Sequence, residues 1–259
     1  MPTELQSRDV TCDAVLGGRL RLRQPRHGHR VGHDAMLLAA ATAAHAGKHA
    51  IDLGAGVGAA GLALARRVPG LRVTLVEIDP ALTDLARENA VANDLGDRVT
   101  AVTLDATAPA RAFDQAGLAP GCAHVVLMNP PFNDPVQLQI SPDADRARAH
   151  AGAPTTLASW TATAARLLAD RGALTLIWRA DGLADVLQAL DGFGGVAVKP
   201  VQPHPEAPAI RILVHATKGS RVPLQLQPPL CLNDAQGRPS AAAEAILRDA
   251  ASLPMATAG

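Results

Sequence analysis

The chain has 259 residues, 24 basic and 24 acidic side chains, and 48% hydrophobic but only 2% aromatic residues. Neutrality excludes a bulk field that would draw a polyanion. The length suits one large α/β unit or two small ones, with a core built mainly from Ala, Val and Leu. Cys12, Cys122 and Cys231 are scattered, matching neither a disulfide framework nor a zinc pattern, and no metal site is expected. The opening MPTELQSRDV lacks the apolar stretch of a secretory leader, and no apolar run is long enough to span a bilayer. A soluble cytoplasmic protein with no membrane partner is expected.

In chain order, DAVLGGRLRLRQP reads as a β-hairpin turning at Gly17-Gly18. AMLLAAATAAHA is an Ala/Leu helix with Asp34 as its expected cap. HAIDLG is a strand, followed by a glycine-rich turn and the helix AAGLALARRV. RVTLVEID is the next strand, and Pro80 starts the helix ALTDLARENAVAN. RVTAVTLD and HVVLMN are the third and fourth strands of this series. TTLASWTATAARLLADRG is a helix running to Gly172, ALTLIWR a strand, and GLADVLQAL a helix. GGVAVKPV and IRILVHATKG are further strands, and a last helix starts near Ser240. Continuous apolar strands alternating with helices predict a doubly wound, Rossmann-like parallel sheet covered on both faces. A single unit over residues 1–259 is expected, with an extension over 1–33, a core over 34–220 and a tail over 221–259.

Chemistry concentrates at strand ends. In IDLGAGVGAAG, Gly54, Gly56 and Gly58 let the backbone turn tightly and approach a ligand. Glu77 follows at about the spacing where a carboxylate takes ribose hydroxyls, and Asp105 ends the third strand of the series. This is where open α/β sheets hold nucleotide-like ligands; glycines serving helix–strand packing alone are the plain alternative. The fingerprint also permits a dinucleotide, with Ala59 as the third small residue. Asp52, however, sets a carboxylate where a pyrophosphate would sit and suits a cationic ligand such as S-adenosylmethionine. The absence of tyrosine excludes the Tyr-Lys proton donor of short-chain dehydrogenases.

The stretch VVLMNPPFND ends a buried strand on Asn129-Pro130-Pro131-Phe132. Two prolines cannot continue a ladder. Pro131 restricts Pro130, so an Asn amide oxygen and a carbonyl are held on a rigid turn. Phe132 puts one of the chain's five aromatic rings at the tip of that turn.

DLGAGVG, VEID, LDA and NPPF, falling in order on four strand ends, resemble a class I S-adenosylmethionine-dependent methyltransferase with the Asn-Pro-Pro-aromatic motif. RHGHRVGHDAMLLAA, RILVHATKGSR and PLQLQPPLCLND further resemble the bacterial tRNA(valine) (adenine-N6)-methyltransferase family, although that family commonly carries Tyr-Phe after the prolines where Phe132-Asn133 stands here. The resemblance implies a seven-stranded sheet with its last strand antiparallel, and methyl transfer to adenine N6 of a tRNA. Guanine N2 of ribosomal RNA, DNA adenine, a protein glutamine, or a non-catalytic cofactor- or RNA-binding role are the alternatives. It implies Asn129, Pro130 and Phe132 as catalytic residues: two acceptors that align the poorly nucleophilic, ring-conjugated amine, and a ring that stacks on the flipped base. Asp52, Gly54, Gly56, Gly58, Glu77, Ile78, Asp105, Ala106 and Asn129 would bind the cofactor. Weaker candidates are Arg21, Arg23, Arg26 and Arg30, then Lys218 and Arg221, as phosphate contacts or solvated side chains. Arg146, Arg148 and His150 lie in a long loop after the catalytic turn, and His204 in a proline-rich one.

Overall fold

The computed structural model describes residues 10–27, 30–131 and 154–255. The hairpin pairs β1 (Val10–Val15) with β2 (Leu20–Pro25). The main sheet contains β3 (His49–Leu53), β4 (Arg72–Glu77), β5 (Val99–Thr103), β6 (Ala123–Met128), β7 (Leu168–Arg179), β8 (Phe193–Gln202) and β9 (Arg211–Lys218). Their order is β5-β4-β3-β6-β7-β9-β8, all parallel except β9, which runs antiparallel to both neighbours. This is the expected seven-stranded, mostly parallel sheet with its last long strand reversed. Two short strands, β10 (Gln225–Leu226) and β11 (Leu230–Cys231), extend it by pairing with β8. The sequence carries no sign of them, because two-residue strands show no alternation to detect.

Helices α1 (His33–Ala41), α2 (Ala59–Arg67), α3 (Pro80–Ala92), α4 (Ala110–Gln115), α5 (Pro154–Leu167), α6 (Leu183–Ala189) and α7 (Ala241–Asp249) are the described α-helices, joined by two single 3-10 turns at Leu16–Gly18 and Ala180–Gly182. Two apolar clusters form, one on each face of the sheet. One joins α1, α2, β2 and the tail helix, and the other joins α4, α5 and the β6–β7–β9 strands.

Three sequence expectations are corrected. Asp34 is not the α1 cap: Gly32 holds that position without a side-chain bond, and the Asp34 carboxylate instead takes the Arg211 Nε–H at 2.9 Å. α1 stops at Ala41, where Arg67 donates to the terminal carbonyls of Ala39 and Thr42. α5 ends at Leu167, not Gly172. Arg171 adopts φ +62°, which no helix continues through, and residues 168–172 enter β7. The short α4, seated on the fully buried Phe113, has no counterpart in the sequence reading.

Candidate active site

Parallel strands bring their carboxyl ends to one edge. The register sets Leu53 beside both Met128 and Val76, and Glu77 beside Thr103. The residues that follow, Gly54, Asn129 and Asp105, therefore emerge along the same rim as Glu77. With strands ~4.8 Å apart, Glu77 and Asn129 stand roughly 10 Å from each other across the end of β3.

The glycine loop is held by named backbone contacts. Gly54 N and Ala55 N both donate to Val76 O, at 2.8 and 2.9 Å, and Gly56 N donates to Glu77 Oε2 at 2.8 Å. Gly54, Gly56 and Gly58 have φ of +75°, +56° and +88°, the left-handed region that glycine enters without strain. A Cβ on Gly54 would fall 2.3 Å from Trp160 of α5, and one on Gly58 2.8 Å from Leu75, whereas one on Gly56 would meet open space. Gly56 is thus the loop glycine that faces outward.

Glu77 is 8% exposed and also accepts the Asp79 N–H at 3.0 Å. Ile78 beside it is 51% exposed, an uncovered apolar side chain at the rim. Asp105 uses Oδ1 to take both the Thr107 N–H and the Thr107 hydroxyl, and Ala106 is buried. Carboxylates, an exposed aliphatic side chain and open space over Gly56 fit a nucleoside ligand without phosphate. Asp52 sits deeper than the sequence alone suggests. It is 2% exposed, and its Oδ2 takes the Gly61 N–H of α2 at 2.7 Å. Burial pushes its pKa up to about 7, with the nearby Glu77 charge adding to the rise and the Gly61 bond opposing it. Its carboxyl lies beneath the loop, outside the open rim.

Asn129 follows β6, and Pro130 is buried while Pro131 is exposed. Asn129 Oδ1 is buried and has no hydrogen-bond partner among the described residues. Phe132, Asn133, Arg146, Arg148 and His150 lie outside the described residues.

The weaker candidates separate. Arg23 pairs with Glu88 and Arg30 with Asp13, so two of the N-terminal cations are engaged with carboxylates, while Arg21 and Arg26 are exposed. Lys218 donates to Leu168 O at 2.7 Å and, because β9 is reversed, lies with Arg221 toward the edge opposite Asn129. His204 is exposed, within 3.0 Å of Pro205 O, in the loop after β8 at the rim edge. Two contributors went unread in the sequence: Trp160, which packs on Gly54, and Asn89, whose amide reaches the loop at Val57 O. Asn89 inside the helix was the available signal, since asparagine is a poor helix-interior residue.

The model of the methyltransferase small domain matches residues 29–190. A tRNA1(Val) (adenine(37)-N6)-methyltransferase of Porphyromonas gingivalis (strain ATCC BAA-308 / W83) is 32% identical over 164 residues, 61% of this chain and 61% of that protein. A release factor glutamine methyltransferase of Mycolicibacterium smegmatis is 38% identical over 128 residues, 47% of this chain and 42% of that protein. The chain thus spans less than two thirds of these curated relatives. A crystal structure from Agrobacterium tumefaciens, described as a predicted O-methyltransferase, superposes with a TM-score of 0.72 at 30% identity, covering 85% of this chain and 98% of that one. With the motif-bearing strand ends at one rim and the family model spanning them, the chain belongs to the methyltransferase small domain family.

Proposed function

We propose that the protein methylates an exocyclic amino group conjugated to a π system, with adenine N6 of a tRNA as the acceptor. The observation that carries this reading is Asn129 Oδ1, a buried amide oxygen without a partner among the described residues, on a turn stiffened by two prolines beside the glycine loop. Leaving such an atom unpaired costs about 1–3 kcal/mol, a cost that a substrate hydrogen offsets.

S-adenosylmethionine supplies an electrophilic methyl group when bound. Glu77 accepts from ribose hydroxyls while keeping Gly56 in place, and Asp105 offers its second carboxylate oxygen to the nucleoside. Ile78 and Ala106 give the base an apolar surface. Asp52, beneath the loop, braces the start of α2 by accepting the Gly61 N–H. Asn129 Oδ1 and the Pro130 carbonyl accept the two hydrogens of the acceptor amine. That aligns its lone pair and favours the positive charge developing on nitrogen. No strong base is required beforehand, because the alkylated amine is far more acidic than its parent. Phe132 stacks on the base, worth ~1–3 kcal/mol.

The name of the Porphyromonas gingivalis relative supports adenine N6 of tRNA. The name of the Mycolicibacterium smegmatis relative supports a second reading, a glutamine side-chain amide, which presents the same two hydrogens. Incubation with methyl-labelled S-adenosylmethionine and tRNA lacking its own modifications, followed by digestion to nucleosides, tests the reading. Label in N6-methyladenosine is expected. Label in N2-methylguanosine moves the acceptor, label only in release-factor glutamine replaces RNA with protein, and no transfer to any acceptor overturns catalysis.

A further inference from the structure

Asn89 is fully buried on α3, where the chemistry above asks for no polar side chain. Its amide makes three hydrogen bonds to distant backbone. Oδ1 accepts the Arg23 N–H at 2.7 Å, and Nδ2 donates to Arg23 O at 2.9 Å and to Val57 O at 3.0 Å. The first two reproduce the bonds that a neighbouring strand would give β2. The third reaches into the glycine loop. Asn93, one turn later, repeats the first half only. It brackets Arg21 N and O at 2.9 and 2.6 Å and spends its other amide hydrogen on Asn89 O at 2.7 Å. Two buried asparagines thus hold the same strand in the same way and differ in one contact.

That contact matters because a loop with three left-handed glycines has many conformations open to it. Contacts from the end of β4 fix Gly54, Ala55 and Gly56 by their N–H groups. Val57, 6% exposed, has its carbonyl fixed from α3. Without Asn89 this buried oxygen loses its donor and the second half of the loop loses its tether to α3.

We propose that Asn89 is a positioning residue of the cofactor loop: by holding the Val57 carbonyl it preorganises residues 54–58 for S-adenosylmethionine and links their path to β2. The inference rests on the reading that this loop and Glu77 hold the cofactor. Binding to a preformed loop avoids the entropy of ordering it, so losing the tether weakens affinity while leaving the transfer step alone.

The experiment measures the calorimetric Kd for S-adenosylhomocysteine, and hydrogen exchange at residues 54–58, in the full chain and in Asn89→Ala, Asn93→Ala and Glu77→Ala. Asn89→Ala is expected to raise the Kd about five- to tenfold, the fold-change of one lost neutral hydrogen bond, and to speed exchange in the loop. Asn93→Ala, which removes the matching pair of hairpin bonds at Arg21, is expected to change neither. Equal weakening by Asn89→Ala and Asn93→Ala overturns the proposal, since the hairpin anchor would then be the cause. Loss of affinity in Glu77→Ala with none in Asn89→Ala overturns it while sparing the site. No loss in either overturns the site reading itself. If Asn89→Ala does not fold, Asn89→Ser, which leaves a hydroxyl near β2 but cannot span to Val57, is read the same way.

Discussion

The two halves of the rim are built on opposite rules. On the β3–β4 side, four consecutive loop residues, Gly54 to Val57, have a backbone group tied to Val76, Glu77 or Asn89. On the β6 side, the side chain at the equivalent position, Asn129, keeps a buried oxygen without a partner among the described residues. A cofactor that arrives in every cycle is best met by a loop that needs no rearrangement. An acceptor group that must gain charge during reaction is best met by an atom with nothing else to bind, held still by its backbone. Satisfaction and its deliberate lack stand one strand apart.

The strongest test of this contrast is Asn129→Ala. Turnover is expected to fall about 10²–10³-fold, by analogy with removal of one preorganised polar group, while calorimetric affinity for S-adenosylhomocysteine stays within about twofold. Parallel loss of both would erase the division between the halves.

Asp52 sharpens the cofactor side through pH. Its carboxyl titrates at about 7 when folded against a reference of 3.8, so the folded state holds the proton more tightly than the unfolded chain does. The resulting stability is full below the reference value and is lost as pH rises through about 7. Between pH 5 and 8 that loss amounts to roughly 2–3 kcal/mol at 1.36 kcal/mol per unit. Asp52→Asn cannot titrate, so relative to the parent it should gain stability by that amount between pH 5 and pH 8 in urea denaturation. A pH-independent difference would show that Asp52 is not buried beneath the loop.

Glu77→Ala removes a charged acceptor from Gly56 and, on the proposed reading, from the ligand as well. An affinity loss of about 10- to 100-fold is expected by calorimetry, corresponding to 1.5–3 kcal/mol for a charged hydrogen bond. Unchanged affinity would detach the loop from the cofactor.

The smallest effect on the fold is expected at Gly56→Ala. Its Cβ meets open space, so destabilisation should stay near the 1–2 kcal/mol of a left-handed alanine, whereas the same change at Gly54 also strikes Trp160. Thermal denaturation of the pair should rank Gly54→Ala well below Gly56→Ala.

What was legible in the sequence was whatever repeats locally. The apolar strands, the glycines after β3 and the prolines after β6 each declare themselves within ten residues, and they gave the sheet and the residues of the rim. The bonds between distant segments did not declare themselves. Asn89 meets Arg23 across 66 residues, Arg211 meets Asp34 across 177, and a helix pattern says nothing about either. Asp52 was legible as a carboxylate before the glycine loop, but its depth depends on α2 folding back over it. The end of α5 was misread because LLADRG keeps helical composition, while the left-handed Arg171 is dictated by the entry into β7.

The small strands of the tail have a consequence for the molecule among its copies. A sheet ending on a long bare strand offers its ladder to any passing chain. Here β8, the outermost long strand, is capped by β10 and β11, two-residue pieces separated by Gln227, Pro228 and Pro229. Proline has no N–H to offer, and the Pro228 carbonyl is taken by Lys199 Nζ at 3.0 Å. The β8 border of the sheet is broken into fragments too short to template another strand, built from the segment that carries the least periodic sequence.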